Sequence, residues 1–238
     1  MKTKQKEKEF AEFATKHLGI SSLKLDYFSK ATIKNGNILS PVGMTPNVME
    51  ERQMNVVQLD VFSRLMMDRI IFLGLPIDEM IANIVNAQLL FLESVDKAEP
   101  IKIYINSPGG SVYDGLGIYD CMQYVSPKIS TVNTGKAASM AFVLMIAGEK
   151  GHRASLPHAR FMQHQPLGGA YGQASDIEIT AREIGKLKKE LYDIISLHTG
   201  QKFDKIEKDC DRDYWMTASE AEKYGCVDNI LIRTKAKK

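Results

Sequence analysis

From Val57 onward, short apolar runs alternate with amphipathic stretches, and the two periods predict strand and helix in turn. The spacing predicts a helix over Phe62–Met67 and a buried strand over Arg69–Gly74. Asp78–Glu93 reads as a helix, with Met80, Ile84, Ala87 and Phe91 recurring at helical spacing. Ile101–Ile105 reads as a strand that ends in the turn Ser107-Pro108-Gly109-Gly110. Val112–Tyr124 is the next helix, with Ile118, Cys121, Met122 and Val125 on one side. Ile129–Asn133 follows as a strand, Ala138–Ala147 as a helix, and Arg160–Gln163 as a short strand leading to His164. Such alternation predicts an α/β fold, a parallel-type sheet covered by helices.

The last long element, Asp176–His198, is an amphipathic helix whose Ile177, Ile184, Leu187, Leu191 and Ile194 form an apolar stripe and which Gly200 stops. That stripe suits packing on its own domain or an arm laid against another subunit. Ahead of it, Gly168-Gly169-Ala170-Tyr171-Gly172-Gln173 has the composition of a strand edge awaiting a partner or a peptide. Residues 1–46 have a different character. Lysine alternates with glutamate, Phe10, Phe13 and Leu18 could line a short helix ending at Gly19, and Asn35-Gly36-Asn37, Pro41 and Pro46 follow. An extension ordered only through partners is expected there.

The length, 238 residues, suits one domain with a sizeable core. The 31 basic residues nearly balance the 29 acidic ones, which argues against a nucleic-acid binder. No apolar run reaches the length of a membrane span. The charged start has no signal-peptide core after it, and its glutamates argue against a transit peptide, so a cytoplasmic location is expected. The three cysteines, Cys121, Cys210 and Cys226, are widely spaced and suggest no disulfide framework. The histidines show no metal-ligand spacing and no P-loop is present, so neither a metal, a cofactor nor a nucleotide site of the chain's own is expected.

Candidate chemistry gathers at three strings. Ser139 stands between small residues and an apolar helix, where the Met140 amide is a natural oxyanion donor and the Gly109-Gly110 turn can bring a second amide close. A serine there also suits an N-cap or a small packing residue. His164, fixed by the loop Pro166-Leu167-Gly168-Gly169, is the candidate base that a serine hydroxyl needs. Spacing leaves Asp209, Asp211 and Asp213 open as the third member. A carboxylate that orients histidine should be partly buried, which favours Asp213 beside Tyr214 and Trp215. Lys136 offers a Ser–Lys alternative of lower rank, since a lysine beside a turn is usually solvated.

The strings around Ser107–Gly110, Ala137–Met140, His164–Gly169, Gly172–Ile179, Ala181–Ile184, His198–Gln201 and Asp211–Asp213 resemble the Clp protease proteolytic subunit family, ClpP, in its order and spacing from about Asn47 to Ile232. The resemblance implies a ClpP/crotonase fold of repeated β-β-α units with an outlying handle helix. It divides the chain into an extension or propeptide over 1–46, a protease domain over 47–232 with its handle at 168–200, and a basic tail over 233–238. It makes Ser139 the nucleophile, His164 the base, Asp213 the orienting acid, and the Gly110 and Met140 amides the oxyanion hole. Gly168, Gly169, Ala170, Tyr171, Gly172 and Gln173 match the strand that pairs with substrate. Asp211 and Arg212 match positions that couple ring contacts to the site. Leu90, Tyr104 and Tyr124 match pockets for an unfoldase's loops, and segments near Met44–Glu51 match the start of the axial loops. The expected particle is a homo-oligomer of two stacked heptamers that cleaves unfolded proteins. A separate AAA+ partner of ClpX, ClpA or ClpC type would use the ATP. Neither nucleic acid nor membrane is an expected partner.

Lys136, Lys102 and Ala154 depart from the residues frequent at their positions, and Gly185 in the handle costs about 1 kcal/mol relative to alanine. Two other readings follow from the same fold: acyl-CoA chemistry, in which paired amides polarise a thioester, and an inactive ring component. The Ser139, His164 and Asp213 set argues against both.

Overall fold

The computed structural model describes residues 47–52 and 55–233. The extension over 1–46 with its expected short helix, and residues 234–238 of the tail, lie outside them. Two units are present. In the first, β1 (Asn47–Arg52) and β2 (Asn55–Asp60) form an antiparallel hairpin whose register runs from Asn47↔Asp60 to Arg52↔Asn55.

The second unit, from Phe62, is built on a seven-stranded sheet. Helix α1 (Val61–Met67) leads to β3 (Ile70–Leu73), then α2 (Glu79–Val95), β4 (Ile101–Ser107), α3 (Val112–Tyr124), β5 (Ile129–Ala138) and α4 (Met140–Ile146). After these come β6 (Arg153–Ser155), β7 (Arg160–Gln163), α5 (Ala174–Thr199), α6 (Phe203–Asp209), β8 (Tyr214–Thr217), α7 (Ala218–Tyr224) and β9 (Asn229–Ile230). Strands β3-β4-β5-β6-β9 pair in parallel in that order. Strand β7 leaves this path, parallel to the far end of β5, and β8 closes it antiparallel to β7.

The strand β5 therefore has two sets of partners. Its first half, Thr131–Asn133, pairs with β6, and its last three residues, Lys136–Ala138, pair with β7. Between them the backbone is stitched by side chains. Buried Asn133 donates to the Arg160 carbonyl at 3.0 Å and accepts from the Gly135 amide at 3.1 Å. Asn106 accepts from the Lys136 amide at 3.1 Å. A buried polar group that is fully answered costs little and specifies one geometry.

The helices follow the expected order, and their ends and faces are instructive. Asp78 caps α2, its carboxylate accepting from the Ile81 amide at 2.8 Å. Ala82, Val85, Leu89 and Leu92 of α2 are buried, whereas Met80, Ile84 and Phe91 of the expected stripe lie on the outer face. Periodicity finds the helix but cannot choose between two apolar faces on one helix. The expected helix from Ala138 starts two residues later, because pairing with β7 holds Ala137 and Ala138 in β5 against alanine's preference for helix. Every residue of α4 is buried. The short β6, α6, β8, α7 and β9 carry too few residues for a period to emerge. For α7 a signal did exist, the capping box Thr217–Glu220.

Helix α5 runs through Gly185 and ends at Gly200 in the left-handed region, φ 74°. Leu187, Leu191, Tyr192 and Ile195 are buried within this chain. Ile177 and Ile179, nearer the N-terminus, are exposed. The stripe is thus divided: its C-terminal half packs on its own body.

At the root of α5 a buried cation ties three segments together. Arg153, 4% exposed, meets Asp228 at 2.6 Å and donates to the His198 carbonyl at 2.8 Å. Asp228 also accepts from the amides of Gly151 and Arg153. Burial pushes the Asp228 carboxyl up, but the Arg153 guanidinium and the two amides outweigh it and hold its pKa below the ordinary 3.8. Because the folded pKa is depressed, ionised Asp228 stabilises the fold above pH 3.8, and this is lost as pH falls through the lower folded value. Asp228→Asn leaves Arg153 buried without its counter-charge and should cost about 3–5 kcal/mol at neutral pH. Thermal or urea denaturation should show that gap in full at neutral pH and shrinking once pH drops below 3.8.

Candidate active site

The sheet register brings Ser139, His164 and Asp213 together. Parallel pairing sets Ala138 of β5 against Met162 of β7, so the residues that follow these two strand ends are neighbours. Antiparallel pairing sets Gln163 of β7 against Tyr214 of β8, so His164 and Asp213 meet at the end of that ladder. The Ser139 amide donates to the Met162 carbonyl at 2.9 Å, extending the ladder by one bond.

Ser139 has φ 54° and ψ −127°, a conformation uncommon for a residue with a side chain. It occupies the N-cap position of α4, yet its side chain caps nothing. Its Oγ lies 2.8 Å from His164 Nε2 instead. The capping alternative left open by the sequence is thereby removed. His164 Nδ1 lies 2.9 Å from Asp213 Oδ1. With the proton on Nδ1 donated to Asp213, Nε2 is free to accept from the Ser139 hydroxyl. This arrangement can activate a hydroxyl for attack on a carbonyl.

Of the three aspartates, Asp213 alone pairs with the histidine. Asp209 is held by the Lys205 amine at 2.6 Å and the Tyr224 hydroxyl at 2.8 Å. Asp211 supplies its backbone carbonyl to Gln165 Nε2 at 2.8 Å, while its side chain and that of Arg212 are exposed. The expectation that the orienting carboxylate is partly buried is not met, since the Asp213 side chain is 60% exposed. Its position comes from the ladder end rather than from burial. Lys136 sits within β5, opposite Arg160.

The Ser107–Gly110 turn lies against Ser139. Buried Ser107 donates to the Leu75 carbonyl at 2.6 Å and accepts from the Gly109 amide at 3.2 Å. An isolated bridge to Ile77 uses the Gly109 carbonyl and the Ser111 amide, both at 2.9 Å, and passes over the Gly110 amide. The Met140 amide is the first of α4, a position with no carbonyl of its own helix to bond. Gly109 has φ 90°, and a β-carbon there would stand 2.7 Å from Ser139 Cβ and 2.9 Å from the Met140 nitrogen. Only glycine lets the turn come this close.

Gly168–Gln173 forms no strand; Gly168 to Gln173 are exposed and irregular, and Tyr171 is fully so. A strand edge needs a partner to complete it, and a lone chain supplies none. Gly168 lies against Ile184 of α5. Leu90 and Tyr124 are exposed and Tyr104 half-buried, so none of the three is a core residue. Beside Ser139 and His164, Phe142, Leu191 and Ile195 line an apolar cleft with Gln163. Sequence periodicity put Leu191 on a helix stripe and Gln163 in a strand, with nothing to send either to this cleft.

The thiols are poor rivals to Ser139. Burial pushes Cys210 up to about 12 and also raises Cys121 and Cys226, so each is held as an inert thiol. Among the described residues no cluster of three or more His, Cys, Asp or Glu side chains is placed to hold a metal ion. Among them, too, no helix is long and apolar enough to cross a membrane.

Comparison with known proteins gives the family. The family described as Clp protease matches residues 52–234. A Bacteroides fragilis (strain YCH46) protein named ATP-dependent Clp protease proteolytic subunit is 61% identical over 226 residues, covering 94% of this chain and 99% of that protein. A Porphyromonas gingivalis protein of the same name is 56% identical over 227 residues, 95% of this chain and 99% of its own. In Salinibacter ruber a protein named ATP-dependent Clp protease proteolytic subunit 1 is 54% identical over 189 residues, 79% and 81% of the two chains.

The closeness of the turn to Ser139 is open to a direct test. Gly109→Ala would push its new methyl against Ser139 Cβ and the Ala138 carbonyl, at 2.7 and 2.5 Å. Labelling of Ser139 by a fluorophosphonate should slow by about 10²-fold or more, with the circular dichroism spectrum unchanged. An unchanged labelling rate would mean that the turn does not shape this site.

Proposed function

The chain belongs to the Clp protease family and is a proteolytic subunit of that kind, a peptidase, and on that premise we propose that Ser139, His164 and Asp213 carry its chemistry. The observation that supports this is the continuous hydrogen-bonded line from Ser139 Oγ through both ring nitrogens of His164 to Asp213, at 2.8 and 2.9 Å. Ser139 Oγ attacks the peptide carbonyl carbon as His164 Nε2 takes its proton. The amides of Gly110 and Met140 receive the oxyanion of the tetrahedral intermediate. His164 then gives the proton to the leaving amine, and the C–N bond breaks to leave an acyl-enzyme. Water, losing a proton to His164, attacks the ester, and the hydroxyl of Ser139 is restored. Asp213 holds the tautomer throughout and stabilises the imidazolium.

The wider assembly is part of the same proposal. Two stacked heptamers would enclose these sites, joined through α5 and the 168–173 segment, whose exposed glycines and amides would pair with neighbouring chain and substrate. Exposed Ile177 and Ile179 support α5 as a joining surface. Asp211 and Arg212 stand in the loop that carries Asp213, so a ring contact that engages them acts on the catalytic carboxylate. Leu90, Tyr104 and Tyr124 would receive apolar loop tips of a AAA+ unfoldase of ClpX, ClpA or ClpC type, which uses the ATP that the relatives' names mention.

Two outcomes follow. Ser139→Ala should lower kcat/KM for a small fluorogenic peptide by at least about 10⁴-fold while melting temperature and particle mass stay unchanged. Near-normal turnover would remove Ser139 from its role. A charge on the outer part of α5, Ile179→Glu, should yield single rings or smaller species by native mass spectrometry, because an interface would bury it unpaired. Leu187 is the wrong site for that experiment: it is buried within its own chain, so a charge there would unfold the subunit rather than part the rings.

A further inference from the structure

One polar side chain in the cleft beside Ser139 has no part in the chemistry proposed above. Gln163 lines the cleft together with Ser139, His164 and apolar Phe142, Leu191 and Ile195. It is 1% exposed, and neither its Oε1 nor its Nε2 has a hydrogen-bond partner. Native interiors answer nearly all such groups, because an amide removed from water and left unbonded is destabilising. A leucine or methionine would fill the same place without that penalty. The amide lies near the Tyr224 hydroxyl, which itself donates to Asp209 at 2.8 Å. Even a bond from Nε2 to Tyr224 would leave the acceptor Oε1 unanswered.

The substrate brings the missing partner. When Ser139 attacks a peptide carbonyl, the side chain on the adjacent α-carbon is the one within reach of a cleft bounded by Ser139. We infer that Gln163 is a specificity-determining residue whose Oε1 accepts a hydrogen bond from a polar side chain on the acyl side of the scissile bond, such as glutamine. This rests on Ser139 being the nucleophile. The apolar lining holds the stem of that side chain, and Gln163 answers its polar end. Both amide atoms of Gln163 are shielded in the structure, and the cleft beside them has a volume of about 20 Å³, room for one water, so a substrate side chain enters only as the cleft widens. A site that carries a hydrogen-bonding group rejects the isostere that lacks the matching one.

Methionine and glutamine are near-isosteric, which allows a closed cycle. Two fluorogenic peptides differing only at the residue before the scissile bond, one with glutamine and one with methionine, are cleaved by the unmodified chain and by Gln163→Met. The ratio of kcat/KM, glutamine peptide over methionine peptide, should fall by about tenfold in the variant, the factor that one neutral hydrogen bond contributes. A fall of about threefold or more supports the assignment. A smaller change, or a rise, overturns it, because a residue that only fills space alters both peptides alike. If Gln163→Met does not fold, Gln163→Leu takes its place. If neither folds, the unmodified chain decides: glutamine cleaved at less than about one hundredth of the methionine rate overturns the assignment. Fluorophosphonate labelling of Ser139 separates the two possible failures. A labelled chain with an unchanged ratio sinks the specificity of Gln163 alone, whereas an unlabelled one takes the active-site reading with it.

Discussion

The site depends on one strand changing partners. Strand β5 enters the molecule in the main parallel sheet and leaves it paired with β7, and the change takes place at Asn133-Thr134-Gly135. The two asparagines, Asn133 and Asn106, answer the backbone groups that such a change would otherwise orphan. Thr134 adds a hydrogen bond to the Ile105 carbonyl at 3.2 Å. The strand end is thus carried to the one place where the ends of β5 and β7 and the start of β8 meet. Ser139, His164 and Asp213 are the residues adjoining those three ends. The strained backbone of Ser139 is the local cost of turning from a fixed strand into buried α4 within one residue.

A second constraint acts at the root of α5. Arg153 joins β6 to the Asp228 carboxylate and to the end of α5 through the His198 carbonyl. His198 Nε2 lies 3.0 Å from the Tyr119 hydroxyl of α3. Burial, with Arg153 nearby, lowers the His198 pKa, so the ring is kept neutral in this joint. Beyond the joint the buried face of α5 supplies Leu191 and Ile195 to the cleft. The same helix therefore walls the cleft beside Ser139 at one end and offers Ile177 and Ile179 to solvent at the other.

Among the exposed apolar side chains of the described residues, Met80, Ile84 and Phe91 lie on the outer face of α2, and Ile177 and Ile179 on the outer part of α5. Apolar faces of this kind on a folded subunit mark contact surfaces rather than ordinary solvent-facing skin. They are surfaces that the assembly proposed above would cover. Asp213, largely open in the single chain, would then lose solvent through its neighbours rather than through its own fold.

Much was written plainly in the sequence. Periodicity located the long helices α2, α3 and α5 and the strands β3, β4 and β7, because long amphipathic segments must bury one face. The strings at Ser139 and His164 showed a hydroxyl and a base in the setting that acyl transfer requires. Three matters belonged to the tertiary structure. The contact of Asp213 with His164 was set by the β7–β8 register, whereas the sequence favoured Asp213 over Asp209 and Asp211 for a burial that the structure does not show. The choice of buried face on α2, and the division of the α5 stripe, depended on what each helix packs against. The burial of the unbonded Gln163 amide beside Ser139 was invisible as well, because a glutamine in a short strand has no periodic signature. Local pattern determines which elements form, through the burial each demands; the register between elements determines which side chains meet, and register is a property of distant segments brought together.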